Sequence, residues 1–554
     1  MSFGLGWLEV ELERRTAPAL WRHALEQRHP TPAYLEEQPG GWREVSWEEA
    51  GRRVDGLGRA LLGRGVRRGD AVAVLARTRL EWILLDWAIM SVGAVVVGLY
   101  PTNTASECGY VLTHSGAVLA FAEDGEQHAK LASVFRGPIV DFDELSDLER
   151  SAGNATPEPV DEDDLATLIY TSGTTGPPKG CMLTHRNLVA AALGVRGQLE
   201  DQTDTLLLFL PMAHSFARIA HQSATLHGST LALVADVARV PEALQQTKPT
   251  ILPAVPRVYE KIHASVVGEI ERSSPVSRAI GRWALRVGAT KSPSSLQGRI
   301  ADALVFKKVR ERMGGRLRLG VSGAAPLGID VLEFFRSLNM LVIEGYGLTE
   351  TASSLSVNDP EDYRFGTVGR PVDGTEVRIA GDGEILVRSD SVFSGYYKEP
   401  EATAAVFTDD GFFRTGDVGE IDADGFVKIT DRKKDLIITA GGKNIAPQNL
   451  ENALKASRFV SQAVVFGDRR PYVTALITLD WDEVNGSGAN PEQLVQKLVD
   501  DVNEDRVRIE QIKRFAILPR DFSQEAGELT PTLKLRRRIV QEHFSDEIEK
   551  LYSS

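Results

Sequence analysis

The sequence predicts an α/β protein: a large N-terminal domain of layered α/β subdomains with a small β-barrel or meander, then a small α+β C-terminal domain. Three observations carry this. Helical and strand-like patterns alternate through residues 45–200 and again through 205–350, as mixed layers with largely parallel strands require. Short strands with Asp-Gly turns fill 365–430. The character changes once more after Asp431-Arg432-Lys433-Lys434.

Taken in order, WEEAGRRVDGLGRALLGRGV has the spacing of an amphipathic helix, and DAVAVLA and AVLAFAED read as buried strands. Between them, Trp82 to Tyr100 is the most apolar stretch of the chain. Asp86 interrupts it, and Gly93 divides a helix-like half (WILLDWAIMS) from a valine-rich, strand-like half (AVVVGLY). A buried helix feeding a buried strand is therefore expected, not a membrane span. TLLLFLP, STLALVAD, PTILPAVP, LRLGVSG and MLVIEGYG are further short strands, most of them ended by Gly, Pro or Asp. GTEVRIAGDGEILVRS and GDVGEIDADGFVKIT supply the barrel or meander. Residues 445–554 combine a helix (QNLENALKAS), strands (SQAVVFG, VTALITL), a long helical stretch and a basic tail. The division expected is 1–430, a junction at 431–434, and 435–554.

The length of 554 residues implies about three to five units at ~100–200 residues each. An apolar share of 42% and a charged share of 25% are ordinary for a globular chain. The net charge of -14 argues against a nucleic-acid partner, whose footprint would be basic. It does not forbid local basic sites for small anionic ligands. The two cysteines, Cys108 and Cys181, suggest neither a disulfide framework nor a zinc site, so a reducing, cytoplasmic compartment is expected. The start, MSFGLGWLEVELERR, has no basic segment followed by an apolar core, so no signal peptide is read. A peripheral membrane contact is left open.

The strongest chemical signal is Tyr170-Thr171-Ser172-Gly173-Thr174-Thr175-Gly176-Pro177-Pro178-Lys179-Gly180, directly after the apolar strand LATLIY. Its glycines let successive N–H groups turn inward as an anion nest. Its hydroxyls add donors for phosphate oxygens, and Lys179 adds charge. It is not a Walker A loop, because prolines stand where that motif needs backbone donors. Ser322-Gly323-Ala324-Ala325-Pro326 and Gly345-Tyr346-Gly347-Leu348-Thr349-Glu350 are also Gly-containing turns after apolar strands, where ligands collect. Tyr346 has a face that can stack on adenine, and Glu350 is a hard oxygen ligand suited to Mg²⁺. In Arg414-Thr415-Gly416-Asp417, a carboxylate can accept both ribose hydroxyls.

The first of these motifs resembles the phosphate-binding signature of the adenylate-forming superfamily, which includes acyl-CoA synthetases, beetle luciferases and non-ribosomal peptide adenylation domains. The other motifs follow in that superfamily's order along nearly the whole chain. The resemblance implies that residues 171–176 and Lys179 hold ATP phosphates. It places Tyr346 and Ala325 beside adenine, with Gly323, Ala324, Pro326, Gly345 and Gly347 around the nucleotide. Thr349 meets phosphate, Glu350 holds Mg²⁺, and Asp417 with Arg432 takes the ribose.

Within Leu210-Pro211-Met212-Ala213-His214-Ser215-Phe216, the resemblance puts His214 and Phe216 at the carboxylate and acyl pocket, with Gly323 and Gly345. It puts a hinge on Lys434, makes residues 435–554 a mobile lid, and assigns Gly441, Gly442 and Lys443 to coenzyme A. Lys534, in Leu529-Thr530-Pro531-Thr532-Leu533-Lys534-Leu535-Arg536, becomes the catalytic lysine. Leu533 departs from the glycine many small-acid relatives carry. This segment and DRKKDLIITAGGKN resemble long-chain fatty acyl-CoA synthetases.

The implied reaction joins a carboxylate to ATP as an acyl-adenylate, releases pyrophosphate, and passes the acyl group to coenzyme A. The expected substrate is a medium- or long-chain fatty acid. Alternatives kept open are delivery to a carrier-protein phosphopantetheine, an aryl or other acid, and a non-catalytic nucleotide-binding relative. Loss of Lys179, Glu350 or Lys534 would favour the last; all three are present. Amino-acid activation is disfavoured, since the His214 motif offers no acid to pair an α-ammonium.

Overall fold

The computed structural model describes residues 12, 14–151, 153–171, 177–195, 202–291, 294–438, 444–504, 506–530 and 535–553. Two large sheets form the N-terminal part. In the seven-stranded sheet the order is Gly395–Tyr396, Lys179–Thr184, Leu165–Thr171, Val95–Leu99, Ala71–Leu75, Leu119–Ala122 and Ile139–Asp141. Its last five strands run parallel. The nine-stranded sheet has a parallel centre that includes Thr205–Leu208, Ile251–Ala254, Leu319–Ser322 and Leu341–Tyr346. Helices connect most of these strands, as parallel pairing demands.

The apolar stretch resolves as expected. Leu80–Ser91 is a helix and Val95–Leu99 a strand, joined through Gly93 at φ +73. The helix has no polar face. Trp82, Ile83, Leu84, Leu85 and Trp87 are all buried, each contributing roughly 1.5–3 kcal/mol. Asp86 is buried among them and pairs with the equally buried Arg218. The expected amphipathic helix forms as Trp47–Gly63, with the Ser46 hydroxyl accepting from the Glu49 N–H as its cap.

In 365–430 the meander forms. Thr375–Ile379, Glu384–Ser389, Phe413–Ile421 and Val427–Arg432 pair antiparallel in that order. Among the described residues the outer two strands are not paired, so the sheet is open where a closed barrel had been the other expectation. The segment between Ser389 and Phe413 leaves this sheet. It sends Gly395–Tyr396 to pair with Lys179–Thr184 in the seven-stranded one.

The smaller C-terminal part is α+β. Val460–Phe466, Val473–Leu479 and Ile512–Ile517 form a three-stranded sheet, flanked by helices Pro447–Lys455, Pro491–Glu504, Arg537–His543 and Ser545–Tyr552. Its apolar side chains cluster with one another and not with the main core, as a separate domain requires. Among the described residues no helix is long and apolar enough to cross a membrane. Cys108 and Cys181 are both buried.

Candidate active site

The strands Leu165–Thr171, Leu319–Ser322 and Leu341–Tyr346 all end at one cavity of about 1900 Å³. That is where a parallel sheet collects ligands, because loops and free N–H groups concentrate at the carboxyl ends of its strands. Thr171, Lys179, His214, Phe216, Gly323, Ala324, Ala325 and Pro326 line it, as do Gly345, Gly347, Thr349, Glu350, Asp417, Arg432 and Lys434. The cavity therefore brings together residues from five separate motifs. Ser172, Gly173, Thr174, Thr175, Gly176, Gly441, Gly442, Lys443 and Lys534 lie outside the described residues. Thr530 and Leu535, which flank 531–534, line the same cavity.

At one end Thr171 pairs with Lys179 across the mouth of the Ser172–Pro178 connection. The Lys179 ammonium sits 3.9 Å from the Glu399 carboxylate and 5.0 Å from the Tyr396 ring centroid. The Tyr396 hydroxyl donates to Glu350 Oε1 at 2.8 Å. Burial first, then the Glu350 charge, pushes the Tyr396 phenol far above its usual range, so it stays a donor. Glu350 lies in the tight turn Thr349–Thr351, where its carbonyl accepts from the Phe393 N–H at 2.8 Å. Among the described residues no cluster of three metal-ligating side chains exists. A lone carboxylate suits Mg²⁺, which commonly takes one or two carboxylates and completes its shell with water and substrate phosphates.

At the next station the strand period sorts the side chains. Gly345 and Gly347 face the cavity, whereas Tyr346 is absent from its lining. The Tyr346 ring packs with Leu355, Ile385, Val387 and Val427, and its hydroxyl donates to Asp417 Oδ2 at 2.7 Å. The side chain expected beside adenine thus touches the residue expected at the ribose. Asp417 lies opposite Arg432 in the antiparallel pair, with Arg432 Nε at 3.4 Å from Oδ1. Ala324, Ala352 and Ser353 adopt φ of 75°, 48° and 64° at the ends of the same strands. Non-glycine residues in this left-handed region cost free energy and gather at ligand sites.

The third station is apolar. His214 caps the helix Ser215–His227, its Nδ1 accepting from the Phe216 N–H at 3.2 Å. That bond places the proton of a neutral ring on Nε2. The Phe216 ring lies against Gly323, where an added Cβ would come within 3.2 Å of it. Gly98 permits a closer approach still: a Cβ there would fall 2.7 Å from the Ala213 backbone. Leu99, Ile219, Ala220 and Val321 continue this lining.

Two family models match the chain: "AMP-binding enzyme" over residues 20–397 and "AMP-binding enzyme C-terminal domain" over residues 434–554. The chain belongs to the AMP-binding enzyme family. It is 38% identical to the long-chain-fatty-acid–CoA ligase FadD15 of Mycobacterium bovis over 93% of both chains. It is 32% identical to the peroxisomal long chain acyl-CoA synthetase 7 of Arabidopsis thaliana, covering 95% of this chain and 85% of that one. Among solved structures, the adenylation domain of a carboxylate reductase from Mycobacterium chelonae superposes with a TM-score of 0.81 at 25% identity, over 97% of this chain and 91% of that one.

In this AMP-binding enzyme some residues that support the site were given no role by the motifs read above. Tyr396 and Glu399 reach Glu350 and Lys179 only because Tyr396 pairs with Cys181 across two strands far apart in sequence. Lys433 is a second. Its ammonium binds Asp382 at 2.7 Å and Glu384 at 3.0 Å, while Glu384 Oε1 accepts from the Gly416 N–H at 3.1 Å. Glu384 thus ties the residue before Lys434 to the turn that carries Asp417. Burial, then the Arg432 charge, holds the Lys434 ammonium below its usual range.

Proposed function

We propose that this chain is an ATP-dependent acyl-CoA ligase for medium- or long-chain fatty acids. The observation that carries this reading is the continuity of one cavity from the apolar wall of Leu99, Ile219 and Val321 to Lys179, Glu350 and Asp417. A long acyl chain and a nucleotide fit its two ends, and their reacting groups meet between them.

The first half-reaction is attack of the carboxylate on the α-phosphorus of ATP, with pyrophosphate leaving. A carboxylate is already ionised near neutral pH, so no base is required. Alignment and charge neutralisation are required instead. Asp417 accepts the ribose hydroxyls, with Tyr346 and Arg432 fixing its oxygens. Residues 171–176 and Lys179 hold the phosphates. Glu350, oriented by Tyr396, would hold Mg²⁺, which supplies positive charge to the phosphate oxygens when bound. The Nε2–H of His214 and the ring of Phe216 position the acid, and Lys534 bridges carboxylate and α-phosphate oxygens. The second half-reaction is attack of the coenzyme A thiol on the mixed anhydride, with AMP leaving. Rotation of residues 435–554 about Lys434 would withdraw Lys534 and present Gly441, Gly442 and Lys443 to the pantetheine arm.

ATP–pyrophosphate exchange over a panel of acids, repeated for thioester formation with coenzyme A, tests the reading. Fatty acids should exceed acetate and benzoate in kcat/KM by at least roughly tenfold, since each buried methylene contributes ~0.8 kcal/mol. Equal turnover of acetate would reject the fatty substrate and keep the ligase. Adenylate formed without acyl-CoA would point to a carrier-protein acceptor.

A further inference from the structure

The helical segment Leu296–Arg312 carries a feature unrelated to acid activation. It consists of an α-helical turn Leu296–Ala301, a π turn Asp302–Phe306 and a second α-helical stretch Lys307–Arg312. Gly298, Ala301 and Phe306 face inward and are buried. On the opposite side Leu296, Ile300 and Leu304 are exposed by 74%, 43% and 49%. Spacing of four would walk slowly around a regular helix. The wider π turn slows that rotation, so Leu304 stays in line with Ile300. The result is a straight apolar stripe in water, the type of surface that marks an interaction site.

Its charge is equally specific. The chain as a whole carries -14, yet residues 291–312 contain Lys291, Arg299, Lys307, Lys308, Arg310 and Arg312 against Asp302 and Glu311 alone. Both acids are neutralised within the helix, Asp302 by Arg310 and Glu311 by Lys307. Arg312 pairs with Glu269. Among the described residues Arg299 and Lys308 make no ion pair, and both are exposed. Lys308 stands four residues past Leu304 and can lay its stem along the stripe while keeping its ammonium outward. Charges more than about 8 Å away are screened at physiological salt, so the local basic collar decides attraction and not the acidic whole.

We propose that Leu296, Ile300 and Leu304, with Arg299 and Lys308, form a surface that lies on an anionic lipid bilayer. An apolar face inserted at the headgroup boundary beside cations is what an interfacial helix needs. A second protein copy is disfavoured, because a two-fold contact through this face would oppose its own basic collars.

The test is co-sedimentation of the full chain with vesicles of phosphatidylcholine alone and of phosphatidylcholine mixed with phosphatidylglycerol. The wild type should bind the mixed vesicles and be released by salt. L296Q/I300Q/L304Q should bind more weakly by roughly tenfold or more, and R299E/K308E should lose the preference for anionic lipid. ATP–pyrophosphate exchange with octanoate in solution should be unchanged in both, which separates this surface from the ligase reading. Absence of wild-type binding, or wild-type binding by the triple variant, overturns the proposal. So does a dimer in sedimentation velocity that the triple variant dissolves. Should the triple variant misfold, the charge-reversed variant decides the matter alone.

Discussion

Asp417 is a carboxylate only 4% exposed, and its two oxygens have unequal partners. Oδ2 accepts from the Tyr346 hydroxyl at 2.7 Å, whereas Oδ1 faces Arg432 Nε at 3.4 Å. The shorter bond fixes the carboxylate plane. Tyr346→Phe keeps the ring's packing against Leu355 and Ile385 and removes only the donor. A buried acceptor left short of a partner costs about 1–3 kcal/mol. If Asp417 takes the ribose as proposed, its contacts are the same before and at the transition state, so their loss weakens binding uniformly. The expected outcome is a KM for ATP raised roughly tenfold, with kcat within about threefold of wild type. Steady-state kinetics in ATP checks it, and an unchanged KM would release Tyr346 from this role.

At the scale of elements, the helix Ser215–His227 turns two faces to two tasks. Phe216, Ile219 and Ala220 line the cavity, while Arg218 and His221 point into the core. Arg218 pairs with Asp86 on the helix Leu80–Ser91 and donates to the Thr167 hydroxyl at 2.9 Å. Thr167 lies on the strand that leads to the Gly- and Thr-rich segment 172–178, and it donates onward to Val96 O at 2.7 Å. His221, whose pKa burial and then Arg218 lower to about 3, stays neutral and accepts from Trp87 Nε1 at 2.9 Å. Arg218→Met strands a buried carboxylate and should cost on the order of 3–5 kcal/mol of stability, read from the denaturant midpoint. Adding Asp86→Asn should restore part of it. Equal loss in single and double variants would mean the pair is not coupled.

The same pair shows where the sequence was legible. Asp86 stood out as a break in an apolar run, and the helix and strand around it follow from periodicity alone. Its partner lies 132 residues away, and no local pattern encodes that distance. Tyr396 was hidden for the same reason, since only cross-strand pairing brings it to Glu350. The Gly-rich turns were readable because strand, turn and chemistry are contiguous there. The side of the strand on which Tyr346 falls was readable in principle from its alternation with Gly345 and Gly347.

For the whole molecule, the question is how firmly the C-terminal domain holds the position seen here. Arg272, ending the helix Pro256–Arg272, reaches across to Glu483 of the helix Trp481–Ser487 at 2.8 Å. Its side chain is 61% exposed, and surface pairs of this kind contribute ~0–1 kcal/mol. Such a contact can open in every turnover. On the other side Lys433 is clasped by Asp382 and Glu384, which gives a fixed point directly before Lys434. A tethered hinge beside a weak latch is what a rotating domain needs. If rotation exchanges two catalytic surfaces, single substitutions should divide the half-reactions. Lys534→Ala should lower pyrophosphate exchange by roughly 10²–10³, the scale of one lost transition-state donor, and spare conversion of supplied acyl-adenylate to acyl-CoA. Gly442→Leu should leave exchange intact and let adenylate accumulate, because a branched side chain narrows the pantetheine path without touching the phosphates. Arg272→Ala should change either rate by no more than about fivefold. Impairment of the same half-reaction by Lys534→Ala and Gly442→Leu would reject rotation about Lys434.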